Sequence, residues 1–170
     1  ITCGDGSPNT TIILAANVLS FIADHKYVDN QPGNAAYTIN ATVTDKDGSG
    51  SSGSTSLTVN NVAPSVNAFS GATLFRGQTY TATGSFNDPG ADTWTATVDY
   101  GDGSGVQNIT LTGKTFSLSH VYADNGSYTV TVKVTDDDSG MGTDTAVVTV
   151  NNVAPASVTL SATPATIDEN

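Results

Sequence analysis

The chain has 170 residues, 37% of them apolar, and sets five Lys and Arg against sixteen Asp and Glu for a net charge of -11. A surface this acidic repels phosphate backbones, which argues against a nucleic-acid partner, and no apolar run approaches the ~18 residues of a membrane-spanning helix. Glu169 is the only Glu among the acids, and a preference for Asp favours turns over helices.

In chain order, the first chemical features are Cys3 and the turn Gly4-Asp5-Gly6-Ser7. Cys3 is the only cysteine, so no intrachain disulfide is possible, and the expectation is a small buried hydrophobe. The apolar stretch Ile12–Val18 is too short to span a membrane and lacks the basic flank of a secretion signal. After His25-Lys26-Tyr27-Val28-Asp29-Asn30, a strand is predicted over Tyr37–Thr44, followed by the turn Asp45-Lys46-Asp47 and a run ending at Val59. Trp94, Ala96 and Val98 alternate with threonines and share one predicted core face. Tyr128, Val130, Val132 and Val134 alternate with Thr129, Thr131, Lys133 and Thr135 in the same way, and Val148 and Val150 follow. Between these runs lie Asn87-Asp88-Pro89-Gly90, Gly101-Asp102-Gly103, Asp124-Asn125-Gly126 and Asp136–Gly140, all turn formers.

The chain repeats itself. Leu57-Thr58-Val59-Asn60-Asn61-Val62-Ala63-Pro64 recurs as Val148-Thr149-Val150-Asn151-Asn152-Val153-Ala154-Pro155, so Pro64 and Pro155 fix an offset of 91 residues. Tyr37–Asp45 matches Tyr128–Asp136 at the same offset. His25–Asn30 matches His120–Asn125, and Gly4–Ser7 matches Gly101–Ser104, at slightly larger offsets. The drift places an insertion at Gln31–Ala36, where a surface turn is expected. On this alignment residues 1–61 are a copy without its opening strands, 62–153 a complete copy, and 154–170 the first strand of a further copy or a donor strand. Short β-branched strands at about ten-residue spacing predict an all-β protein of tandem sandwiches, one complete and one lacking its first strands.

Val98-Asp99-Tyr100-Gly101-Asp102-Gly103-Ser104 resembles the hallmark strand and turn of the polycystic kidney disease (PKD) domain family. His120-Val121-Tyr122 and Gly126-Ser127-Tyr128-Thr129-Val130-Thr131-Val132 are similar to its second signature. The resemblance implies tandem immunoglobulin-like sandwiches, seven-stranded when complete, used in adhesion, surface layers and accessory modules of secreted enzymes, hence an extracellular or cell-surface location. The first copy departs from it, with Ile1-Thr2-Cys3 in place of Val98-Asp99-Tyr100, so its hallmark strand is expected to pack differently.

Nothing reads as catalytic. His25 and His120 occupy equivalent positions and are expected to hydrogen-bond a turn. Two histidines and one cysteine without clustering make no zinc site, and no Gly-x-Ser-x-Gly elbow occurs. Carboxylates in turns suit calcium, which takes six to eight oxygens, and Asp88, Asp92, Asp102, Asp136 and Asp138 are the candidate ligands. The alternative is that these acids only hydrogen-bond their own backbones. Asn9, Asn40, Asn108 and Asn125 open Asn-x-Ser/Thr sequons and are candidate glycan sites.

The expected function is structural or adhesive: a rod or fibre of stacked sandwiches that associates with neighbouring repeats or subunits. In its specific form, the C-terminal strand of one subunit completes the N-terminal sandwich of the next. The rival expectation is an accessory module of a secreted enzyme that grips carbohydrate or protein.

Overall fold

Alternation of β-branched residues with threonine decides where the strands form, and turn chemistry decides where they stop. The computed structural model describes residues 1–161 and 169. The first repeat contributes two antiparallel strands, β1 (Ala36–Thr44) and β2 (Gly50–Thr58), joined by the Asp45 turn. There Asp45 Oδ1 accepts the amides of Asp47 and Ser49 at 2.9 Å each. The Gln31–Ala36 insertion is a single 3-10 turn over Pro32–Asn34, followed by entry into β1.

The second repeat is a closed sandwich. Its strands are β3 (Ser65–Val66), β4 (Ala72–Phe75), β5 (Thr79–Asn87), β6 (Trp94–Asp99), β7 (Gln107–Ile109), β8 (Leu111–Thr112), β9 (Thr115–Val121), β10 (Gly126–Asp136) and β11 (Met141–Asn151). One sheet runs β4-β11-β10-β6-β7 and the other β3-β5-β9-β8. All pairings are antiparallel except β4 with β11. The count exceeds seven partly because the opening strand changes sheets: β3 pairs with β5, and after Gly71 the chain crosses to β11 as β4. A Cβ on Gly71 would collide with the Val147 carbonyl, so glycine permits the crossing. This is the all-β, immunoglobulin-like architecture the sequence predicts.

The core lies between the two sheets. Val130, Val132 and Val134 of β10 and Val148 of β11 are fully buried against Tyr80, Phe86, Phe116 and Leu118 of the opposite sheet. Each buried valine is worth about 1.5–3 kcal/mol over its exposed state. Ala96 and Val98 face inward as expected, and Trp94 packs against the core edge-on to Phe86.

In the first repeat the same face is covered at Tyr37, on which Tyr27 packs, and is open beyond it. Val43, the counterpart of Val134, is 51% exposed, and Leu57, the counterpart of Val148, is 43% exposed. Among the described residues, only a single bridge from Thr2 to Asn40 extends the β1-β2 sheet. That bridge reproduces the Asp99–Thr131 pairing of β6 with β10, so the hallmark segment keeps its register despite its altered sequence. Residues 154–161 run as exposed coil. The rest of the predicted terminal strand, 162–168 and 170, lies outside the described residues.

Candidate metal centre at the repeat junction

The two Gly-Asp-Gly turns are built alike. Asp102 Oδ1 accepts the amide and hydroxyl of Ser104, and its Oδ2 lies 2.7 Å from His120 Nε2. Asp5 accepts the Ser7 amide and meets His25 Nε2, also at 2.7 Å. Both histidines therefore brace a turn, as predicted. The tyrosine two residues on closes the motif: the Tyr122 hydroxyl donates to the Tyr100 carbonyl, and the Tyr27 hydroxyl to the Cys3 carbonyl. Tyr100 stacks on His120 at 4.0 Å, a contact that Cys3, buried in its place, cannot make.

Burial raises the Asp102 carboxyl, but the Ser104 hydroxyl and amide and the His120 ring outweigh it and bring it down to about 2. A folded value below the ordinary ~3.9 stabilises the fold above that pH and loses its effect as pH falls through the folded value. Asp102→Ala should therefore melt below the native chain near neutral pH, with the gap closing toward about pH 2. Thermal melts of both chains across that range measure it.

The other turn acids gather where the repeats meet. Asp136 is buried, its Oδ1 accepting the Gly140 amide at 2.6 Å and its Oδ2 accepting the Asn61 side chain at 2.8 Å. Asn61 belongs to the linker, and its amide donates to Asn34 Oδ1 in the first repeat. Asn30 of the first repeat donates to Asp138 Oδ2 of the second at 2.8 Å. Asp88 accepts the Trp94 indole at 2.9 Å and the Gly90 amide at 3.2 Å. Lys114 donates to the Asp88 carbonyl and covers the Trp94 ring at 4.6 Å.

Of the five acids singled out from sequence, the structure joins Asp92 and Asp138 in one three-carboxylate cluster and completes it with Asp29. One oxygen from each lies within 4.8 Å of the others. Asp88 adjoins Asp92 but is engaged by Trp94 and Gly90, Asp136 is engaged by the linker, and Asp102 by His120. Asp92 is 6% exposed, and its Oδ2 has no hydrogen-bond partner. Burial pushes this carboxyl up to about 6, with neighbouring Asp88 and then Asp29 and Asp137 adding to the effect. The basic groups in ion pairs among the described residues are His25, Lys46 and His120, and none of these pairs includes the cluster. Asp29 was not a sequence candidate; its signal was its match to Asp124, which marks it as part of a repeated loop.

All four sequon asparagines, Asn9, Asn40, Asn108 and Asn125, are exposed. No helix among the described residues is long and apolar enough to cross a membrane.

Comparison with solved structures returns sandwiches of this type. The PKD domain of an M14-like peptidase from Thermoplasmatales archaeon SCGC AB-540-F20 is 27% identical, with 54% of this chain and 98% of that one covered and a TM-score of 0.48. The PKD domain from human VPS10 domain-containing receptor SorCS2 is 15% identical over 89% of this chain and 98% of that one, with a TM-score of 0.36. Titin domains z1z2, solved in complex with telethonin, are 18% identical over 72% of this chain and 64% of that one, with a TM-score of 0.44. No curated protein matches the chain. The family model described as the PKD domain matches residues 61–151, which span the linker asparagine and all strands of the closed sandwich. The chain belongs to the PKD domain family.

Proposed function

We propose that the chain is a non-catalytic extracellular structural module, part of a rod of PKD-type repeats in which each repeat associates with a neighbouring repeat or subunit, in its specific form head to tail. The observation that carries this reading is the contrast between equivalent faces. Val134 and Val148 are fully buried in the second repeat, while Val43 and Leu57 stand open in the first. In the second repeat the cover comes from the opposite sheet, which begins with β3 just after Ala63-Pro64. Ala154-Pro155-Ala156-Ser157-Val158 repeats that opening with one residue added. Beside the open face runs a groove of about 730 Å³ lined by Ile12, Leu14, Val18, Phe21 and Val43. The occupant this reading calls for is an opening segment of that kind, from a neighbouring repeat or from a second copy, adding a strand and burying apolar surface. Domains of this family are typically extracellular, which suits the location.

A carbohydrate-gripping surface would need a row of exposed aromatic rings. Among the described residues only Phe21 and Phe75 are exposed aromatics, so the spacer reading is favoured over an accessory binding module.

Removing residues 156–170 tests the assembly. Sedimentation velocity and electron micrographs should show polymers for the full chain and monomers for the truncated one. Polymers from the truncated chain would rule out strand donation by the tail, and a monomeric full chain would rule out head-to-tail growth.

A further inference from the structure

We propose that Asp29, Asp92 and Asp138 bind one calcium ion between the two repeats and that the ion fixes the junction. The ligands come from both sides: Asp29 from the first repeat, Asp92 from the β5–β6 turn and Asp138 from the β10–β11 turn of the second. Two oxygens about 2.4 Å from a single calcium can lie up to about 4.8 Å apart, and the three carboxylates meet that limit. Magnesium, with oxygens at about 2.1 Å, draws its ligands into a tighter shell and keeps more water.

A second observation, the burial and hydrogen bonding of one cluster member, also points to a ligand. Asp92 Oδ2 is buried and unpartnered, a state that costs about 1–3 kcal/mol or more for a charged oxygen. A Cβ on Gly90 would overlap this oxygen, so the glycine leaves the space into which the Asp92 carboxylate folds. A cation there satisfies the oxygen and offsets the repulsion among the three carboxylates.

The loop that presents Asp29 is preshaped. The Asn30 amide donates to Asp29 Oδ1 at 2.9 Å, and the Tyr37 hydroxyl holds the Asp29 carbonyl at 3.1 Å. The second repeat builds the same loop at its far end: the Asn125 amide donates to Asp124 Oδ1 at 2.8 Å, and the Tyr128 hydroxyl to the Asp124 carbonyl at 3.0 Å. A repeat docked beyond Asp124 would meet the same half-site.

The test is a calorimetric calcium titration of the full chain after chelator treatment. One site per chain is expected, with a dissociation constant on the order of 10⁻⁴–10⁻³ M, the range of extracellular modules. Asp29→Asn should weaken binding at least tenfold while leaving the melting of the second repeat unchanged, because the substitution lies outside that sandwich. Asp92→Asn should weaken it comparably, and Asp24→Asn, an exposed charge control, should not. Terbium should give emission sensitised by Trp94, whose indole is bonded to neighbouring Asp88, and calcium should displace it. Absence of binding up to about 10 mM calcium, well above that range, overturns the proposal. So does unaltered binding in Asp29→Asn, or equal affinity for magnesium. The proposal and head-to-tail growth fail separately, since this junction lies within one chain and polymer formation is read by sedimentation.

Discussion

Gly101→Ala should destabilise the second repeat by about 3 kcal/mol, whereas Gly103→Ala, two residues away, should cost about 1 kcal/mol or less. Both glycines have positive φ, +75° and +83°, so a side chain is strained at either one. They differ in surroundings. A Cβ at Gly103 meets nothing within 4 Å, but one at Gly101 would sit 2.5 Å from the Thr129 carbonyl oxygen and 3.0 Å from its amide nitrogen. That neighbour is the backbone of β10, held between β6 and β11, and it cannot swing aside as a side chain would. The added methyl must therefore push the hallmark turn off β10 and disturb the Asp102–His120 contact with it. A domain of about 90 residues has roughly 5–14 kcal/mol of stability in all. A loss of about 3 kcal/mol should lower its melting temperature by roughly 12–24 °C. Denaturant unfolding of the two variants side by side separates the clash from the backbone strain. Gly4, at φ +78° and with a Cβ position 2.7 Å from the Thr38 carbonyl, occupies the same niche in the first repeat.

The repeated motifs made the strands, the turns and the histidine braces legible because each is a local matter. His120 needs only a turn acid within reach, and Gly-Asp-Gly-Ser supplies one eighteen residues earlier in the chain. Alternation likewise identified the inward face of β10 without knowledge of what covers it. The junction was less legible. Asp88, Asp92, Asp102, Asp136 and Asp138 look alike in sequence, all acids in turn segments between predicted strands. What separates them is which partners folding brings: an indole for Asp88, a linker amide for Asp136, an imidazole for Asp102. Asp29 lies 63 positions from Asp92 and 109 from Asp138 by number, so only the docking of one repeat on the other places it with them. The altered hallmark of the first repeat packs differently, as its sequence suggests, but only in its side chains. Exchange of Tyr100 for Cys3 removes the ring stacked on histidine, yet the bridge at Thr2 keeps its register because it is made by the backbone.

Equivalent substitutions in the two repeats should have opposite consequences. Val134→Asp places a carboxylate at a site with 0% exposure, opposite Ala96 on β6 and Gly142 on β11. That core cluster holds no basic residue, and its tyrosine hydroxyls are already donated to backbone carbonyls, so the cost is on the order of 5 kcal/mol, comparable with the whole stability of the domain. The cooperative unfolding transition of the second repeat should disappear, as monitored by near-ultraviolet circular dichroism of Trp94 and the core tyrosines. Val43→Asp makes the same change at the matching position, where the native side chain is half exposed. There the new charge reaches water, and the melting of the isolated chain should shift by no more than about 0.5 kcal/mol equivalent. Its effect should fall on association instead. If a strand from a second copy covers this face, the carboxylate is desolvated at the moment of docking, and polymer formation should be lost at concentrations where the native chain assembles. Polymers of normal length from Val43→Asp would mean that the open face of β1 takes no part in assembly. Unfolding of the chain by Val43→Asp would mean that the first repeat is closed in solution by some other segment. On the proposed reading, the exposed part of β1 acts when a partner strand covers it, whereas its twin in the second repeat is committed when the chain folds.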